Sequence, residues 1–360
     1  MVVAEVSMFV LGTFLVVSTV LSAVRTVAVP RAEQVVLSRV LFRLTRPVFA
    51  LLVKLSRNED HKEAFRARFA PMTMLMMPLV WAAGVILGFS CIYWANGIRP
   101  FDDAVVFSGS AFTTLGFSAS DSFLDKLLAI VEALLGLGLV ALLISFMPSL
   151  YSAFSRREAL VSRLEVRAGL PPSPEELILR AHRIGWLDSL EDTWAHWEQW
   201  FIEVEEAHTT YPALNFFRSP VANRSWITAS ATVLDSAALL QASVAVPERP
   251  EASLCIRAGY VTLRRIADYF GLDHPTDPAP DGPISVTRGD FDAMWDHLAA
   301  EGVPMVADKD QAWRDFAGWR VNYDAALVAI CRMVDAPPAW GTGGMANAQR
   351  RLSRTNRLHD

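Results

Sequence analysis

The stretch Ser108-Gly109-Ser110-Ala111-Phe112-Thr113-Thr114-Leu115-Gly116-Phe117-Ser118 decides how the rest of this chain reads. It is short and moderately apolar, and it closes on Thr-Thr-Leu-Gly-Phe. Upstream, Met72 to Trp94 is an almost unbroken apolar run; downstream, Leu127 to Met147 is another. Each reaches the ~20 residues that a helix needs to cross the hydrocarbon of a bilayer. Between them, Pro100-Phe101-Asp102-Asp103 has the form of a helix start, with two acids where the helix dipole favours negative charge. A short helix is predicted from there to about Thr113. The local pattern is therefore a helix and a Thr/Gly loop held between two spanning helices.

Irregular backbone at membrane depth is tolerated only where protein buries it or it lines water. Backbone carbonyls around an axis can replace the hydration shell of a cation. A Thr-Thr-x-Gly-Phe run suits that task. Thr114 adds a hydroxyl to its carbonyl, and Gly116 permits a positive φ that lets successive carbonyls face one side. Leu115 and Phe117 are expected to point away and pack the loop against the preceding helix. The C-terminal end of that helix, carrying partial negative charge, favours a cation.

These residues resemble the pore segment of the potassium channels, whose filters read Thr-Thr-(Val/Ile/Leu)-Gly-(Tyr/Phe)-Gly. The chain is similar to bacterial potassium-channel-like proteins, also through Phe154-Ser155-Arg156-Arg157-Glu158 and the segment from Glu206 to Pro220. The resemblance implies a selectivity filter at Thr114, Leu115, Gly116 and Phe117, with Thr113 as the last pore-helix residue. One loop per chain is a quarter of a four-fold filter, so it also implies a homotetramer passing monovalent cations, with potassium in the filter and no other cofactor. The pattern departs at Ser118, where the family has glycine. There a positive φ would cost serine roughly 1–2 kcal/mol. Ala119 stands where an acidic residue is usual. Selectivity between potassium and sodium stays open on these grounds.

In the downstream run, Gly136 and Gly138 are candidates for a gating hinge, or for close packing by small residues. Pro148 either bends that helix or ends it. Glu132 is ionisable near membrane depth and should face protein; it is expected behind the filter, near Ser108, Ser110 or Thr113.

Composition supports a membrane part joined to a soluble one. The chain of 360 residues is 52% hydrophobic with a net charge of −5, and its mean hydropathy is +0.27. Three scattered cysteines form no disulfide framework or zinc pattern. Val6 to Val24 is a third spanning run, with no base before it and Arg25 after it. Bases crowd residues 31–69, read as a basic amphipathic linker on anionic headgroups. The alternative for that linker is a poor fourth spanning helix. Arg156, Arg157, Arg163 and Arg167 follow the last run. The charge rule then gives one orientation: N-terminus outside, loop outside, C-terminal region in the cytoplasm of a multi-pass inner-membrane protein.

Five regions result: an extra N-terminal helix (1–30), the linker (31–69), the pore domain (70–154), a helical cytoplasmic domain (155–338) and a disordered basic tail (339–360). In the fourth, helices are expected at about 174–185, 187–208, 225–244, 251–270, 288–302 and 311–334. Trp194, Trp197 and Trp200 mark a core or subunit contact, and Trp313, Phe316 and Tyr323 are placed on one face of the last helix. Glu205-x-x-His208 has the spacing of a carboxylate metal site, but a di-metal bundle needs a second copy. No nucleotide loop or hydrolase elbow is present, and nothing points to nucleic acid. The expected class is an all-α membrane protein with a pore-loop domain and an all-helical cytoplasmic domain, acting as a channel rather than an enzyme. Its rivals are a non-conducting receptor or scaffold that keeps the pore architecture, and a membrane-tethered metalloenzyme.

Overall fold

The computed structural model describes residues 2–27, 59–221 and 223–337. Most of the basic linker and all of the C-terminal tail, with the expectations attached to them, lie outside the described residues. Among the described residues the chain is helical; its only β feature is an isolated bridge between Val244 and Met305. Contacts divide it between Ser152 and Ala153 into two compact units.

The first unit holds α1 (Val2–Val27), α2 (Glu59–Ala95), α3 (Phe101–Phe112) and most of α4 (Phe123–Ala168). Among the described residues, three helices are long and apolar enough to cross a membrane: Val2–Thr26, Met72–Ala95 and a stretch of Phe123–Ala168. Helix α2 starts earlier than its apolar run, and residues 59–69 are helical.

Small residues let α1 and α2 approach closely. A Cβ on Gly12 would lie 2.4 Å from the carbonyl oxygen of Gly88, one on Gly88 2.7 Å from Val16 Cγ2, and one on Gly84 2.6 Å from the Thr19 hydroxyl. Gly84-Val-Ile-Leu-Gly88 is thus a small-xxx-small stripe. Such stripes associate helices in membranes through van der Waals packing, where lipid removes the hydrophobic drive. At one end of the pair, Arg99 lies over the Trp94 ring, 3.4 Å from its centroid, and meets Glu5 of α1 at 3.2 Å.

Helix α4 is 46 residues long with Pro148 inside it, about 69 Å at 1.5 Å per residue. Pro148 therefore does not end the helix; it deprives the Ile144 carbonyl of its helical donor. The charged stretch beyond it stays helical to Ala168, where Gly169 takes a positive φ of 79°.

The second unit contains the end of α4, then α5 (Pro174–Arg183), α6 (Glu191–Thr210), α7 (Trp226–Ser243), α8 (Pro250–Phe270), α9 (Arg288–Ala300), α10 (Lys309–Arg320) and α11 (Asp324–Met333). Ser173 caps α5 by accepting the Glu176 amide. Thr287 and Asp290 form a capping box on α9. Helix α7 is buried along its whole length except at Gln241. It is rich in Ala, Ser and Thr, and such a helix can be surrounded because its hydroxyls bond their own backbone, as Ser230 does to Trp226 and Ser236 to Thr232. The three tryptophans of α6 are in this core; Trp197 and Trp200 pack edge to face at 4.8 Å.

The last expected helix is two. Val321-Asn322-Tyr323 turns between α10 and α11, so Tyr323 does not continue the face of Trp313 and Phe316. Asn322 explains the break: its amide donates to the Gly318 and Trp319 carbonyls at 2.9 and 3.2 Å, while Arg264 donates to its own carbonyl at 2.8 Å. The turn brings Arg320 and Tyr323 to one buried carboxylate, Asp235. Asp324, which accepts from Arg320 at 2.8 Å and from the Ser285 hydroxyl at 2.6 Å, completes this network.

Candidate functional site

The loop after α3 is built by hydrogen bonds that end the helix. Thr113 is the C-cap, and its hydroxyl donates to the Gly109 carbonyl at 2.6 Å. The Thr114 amide donates to Ala111 O at 3.0 Å and the Leu115 amide to Ser110 O at 3.0 Å. This is a Schellman turn, which needs a left-handed residue at the position that Thr114 occupies. Thr114 has φ 59° and Gly116 φ 69°. Glycine takes that conformation freely, whereas a β-branched side chain there costs roughly 1–2 kcal/mol. Ser118 is not among the positive-φ residues, so the strain expected at Ser118 falls on Thr114 instead.

Planarity of the peptide then sets the carbonyls. In a trans peptide each C=O is antiparallel to the following N–H. The amides of Thr114, Leu115 and Gly116 all aim at the end of α3, the last reaching Ser110 O at 3.3 Å. The Ser118 amide reaches the Ser110 hydroxyl at 3.2 Å. The carbonyls of Thr113, Thr114, Leu115 and Phe117 are therefore turned away from α3. Among the described residues no protein donor reaches them. Leu115 and Phe117 are 70% and 67% exposed in the single chain, so they do not pack the loop against its own helix as the sequence suggested.

Behind the loop, buried polar groups brace α3. Glu132 of α4 is fully buried; it accepts from the Tyr93 hydroxyl at 2.9 Å and is hydrogen-bonded to Ser108 at 2.5 Å. Ser108 also reaches the Ile86 carbonyl of α2 at 2.9 Å. Asp125 at the start of α4 accepts from Asn96 and from Ser120, each at 2.9 Å, tying the far end of the loop to the turn that follows α2. Gly136 is required by packing: a Cβ there would sit 2.4 Å from the Phe112 carbonyl oxygen. Gly138 has nothing within 4 Å of such an atom.

In the second unit, Arg157 of α4 is buried among residues from the other notable stretch, Glu206 to Pro220. Its guanidinium donates to Glu158 at 2.8 and 3.0 Å, to the Leu214 and Phe217 carbonyls at 2.8 and 2.7 Å, and to His208 Nε2 at 3.3 Å. That engages all five of its N–H groups. Because Nε2 accepts, the hydrogen of His208 is on Nδ1, where Asn215 Oδ1 accepts it at 3.0 Å. Burial, with the Arg157 charge beside it, holds the His208 pKa well below the usual imidazole range. A cavity of about 400 Å³ opens beside this network, lined by Ala153, Arg156, Glu203, Ala207 and Tyr211 among others.

Glu205 and His208 do not act together. Glu205 pairs with Arg265 at 2.6 Å, and both ring nitrogens of His208 are engaged. Among the described residues no group of three His, Cys, Asp or Glu is placed to hold a metal ion.

Ser110 and Asp125 were not evident from sequence as supports of the loop, because a serine or aspartate carries no mark of its partner. The Gly84/Gly88 stripe was also missed, although its four-residue spacing is a signal that could have found it. No protein-family model, curated protein or solved structure matches the chain.

Proposed function

We propose that this chain is one subunit of a homotetrameric cation channel of the potassium-channel type. Four copies of the Thr113–Ser118 loop would surround one axis, with the N-terminus and the loop outside and the second unit in the cytoplasm. The observation that carries the reading is the row of carbonyls at Thr113, Thr114, Leu115 and Phe117, turned away from α3 and, among the described residues, without protein donors. Oxygen ligands presented this way by several chains can replace the water around a cation. The exposed Leu115 and Phe117 support it further, since neighbouring subunits would cover them. The arginines after α1 and along the end of α4 support the orientation. The second unit would hold the tetramer together or pass a signal to α4.

Purified protein in liposomes should carry potassium down its gradient, and Gly116→Asp should abolish the flux. Aspartate at φ 69° is strained, and its charge would stand among the carbonyls. Repeating the assay with sodium reads selectivity. A folded tetramer that passes neither ion, with or without its C-terminal unit, would sink the channel reading and leave the non-conducting scaffold.

A further inference from the structure

Glu132, Ser108 and Tyr93 are all fully buried. Among the described residues the hydrogen-bond partners of the Glu132 carboxyl are Tyr93 and Ser108 alone, and no cationic side chain pairs with it. An ionised carboxylate in the interior of a bilayer demands such a partner.

The hydrogens of the group can be counted. The Ser108 oxygen lies 2.5 Å from Glu132 Oε1 and 2.9 Å from the Ile86 carbonyl oxygen. A hydroxyl has one hydrogen, while a carbonyl oxygen and a carboxylate have none. Two oxygen–oxygen contacts this short each need a hydrogen between them. If Ser108 gives its hydrogen to Glu132, its lone pairs face the Ile86 carbonyl. If it gives it to Ile86, they face a carboxylate. The tyrosine hydroxyl cannot supply the missing hydrogen, because it is directed to Oε2, 2.9 Å away.

We infer that Glu132 supplies it: the residue stands between α2, α3 and α4 as a neutral carboxylic acid whose Oε1–H donates to Ser108. Ser108 then donates to Ile86, and Tyr93 donates to Oε2. Within this group three hydrogens serve three acceptors, the Ile86 carbonyl also accepting the Ser90 hydroxyl at 2.6 Å, with no charge to neutralise. The chain Glu132–Ser108–Ile86 fixes α3 about its own axis against α2. Ser108 is two residues from Ser110, whose carbonyl and hydroxyl hold the amides of Leu115, Gly116 and Ser118. Glu132 is thus a positioning residue for the loop. Its consequence for conduction rests on the channel reading; the hydrogen count does not.

Glutamine has the shape of the acid, with an amide N–H for Ser108 and a carbonyl for Tyr93. The test uses the full-length protein in liposomes at neutral pH. An infrared difference spectrum of wild type against Glu132→Gln should show the carbonyl stretch of one protonated carboxylic acid in the wild type. Potassium flux of Glu132→Gln should stay within about twofold of wild type, while Glu132→Ala and Ser108→Ala should lose about tenfold or more. Absence of the acid band from the folded wild type would overturn the inference. So would a Glu132→Gln protein that assembles as wild type does yet fails like Glu132→Ala. If the wild type carries no flux with or without its C-terminal unit, the channel reading falls, and the infrared band still decides the state of Glu132.

Discussion

At the scale of single residues, Thr114 and Gly136 show how tightly the loop is specified. Thr114 is held left-handed by a turn in which three amides converge on two carbonyls of α3. Strain of this kind persists only where the surroundings over-determine the backbone. Ser110 does so here, with both its carbonyl and its hydroxyl. Gly136 serves the same loop from α4 by letting the last carbonyl of α3 come close. Two glycines of one helix should therefore behave differently. Gly136→Ala drives a methyl into the Phe112 backbone and should destabilise the protein by about 1–3 kcal/mol, the usual cost of overpacking. Gly138→Ala meets open space and should stay within about 0.5 kcal/mol of wild type. Chemical denaturation in detergent compares the two. Equal losses would mean that the approach of Phe112 to Gly136 does not constrain the fold.

At the scale of elements, α1 is held to α2 by shape more than by chemistry. The contact uses Gly12, Gly84 and Gly88 against Val16 and Thr19, and among the described residues the charged link beside it is Glu5 with Arg99, just beyond the end of α2. Gly88→Leu places a large side chain where Val16 and the Gly12 backbone already stand. It should lower stability by about 1–3 kcal/mol. Leu87→Ala, one position along on an exposed face, should change it by less than about 0.5 kcal/mol. Thermal unfolding in detergent reads the difference, and a harmless Gly88→Leu would remove the stripe as the basis of the pairing. The division between α10 and α11 teaches the opposite lesson. Its apolar periodicity runs through Tyr323, yet the helix stops at Arg320 because the Asn322 side chain and Arg264 take over the backbone there.

At the scale of the whole molecule, α4 contributes to both units, and Arg157 anchors its far end within the second. Every N–H of that guanidinium is used, and the arrangement requires His208 to stay neutral so that Nε2 can accept. This has a defined pH dependence. The folded-state pKa of His208 lies below the ~6.5 of a free imidazole, so the unfolded chain takes up a proton that the folded chain excludes. The stability from this group is complete above about pH 6.5. It is lost toward acid, at up to about 1.4 kcal/mol per pH unit, until the folded-state pKa is reached. Full-length protein followed by tryptophan emission should lose unfolding midpoint more steeply below about pH 6.5 than His208→Gln, which can still accept from Arg157 but does not titrate. Parallel curves for the two proteins would take the ring out of this account.

Run length, end signals and composition were enough to identify most of the helices and the three candidate spans. Each depends on neighbours in the chain: about 20 apolar residues match a bilayer, Pro100 with two acids opens α3, and Ser173 with Pro174 opens α5. The Thr-Thr-Leu-Gly-Phe motif marked the loop for the same reason, and Gly116 was legible as a positive-φ residue because only glycine takes that backbone freely. What the loop does with its carbonyls was not legible. Their direction follows from amides that bond back to Ser110 and Ala111, and the left-handed strain falls on Thr114 rather than Ser118 because the Schellman turn requires it there. Nor could spacing reveal that Glu132 meets Tyr93 across 39 positions, or Asp235 meets Arg320 across 85. Only the tertiary structure decided those pairs, since a buried polar group is satisfied by whatever partner packing brings within about 3 Å.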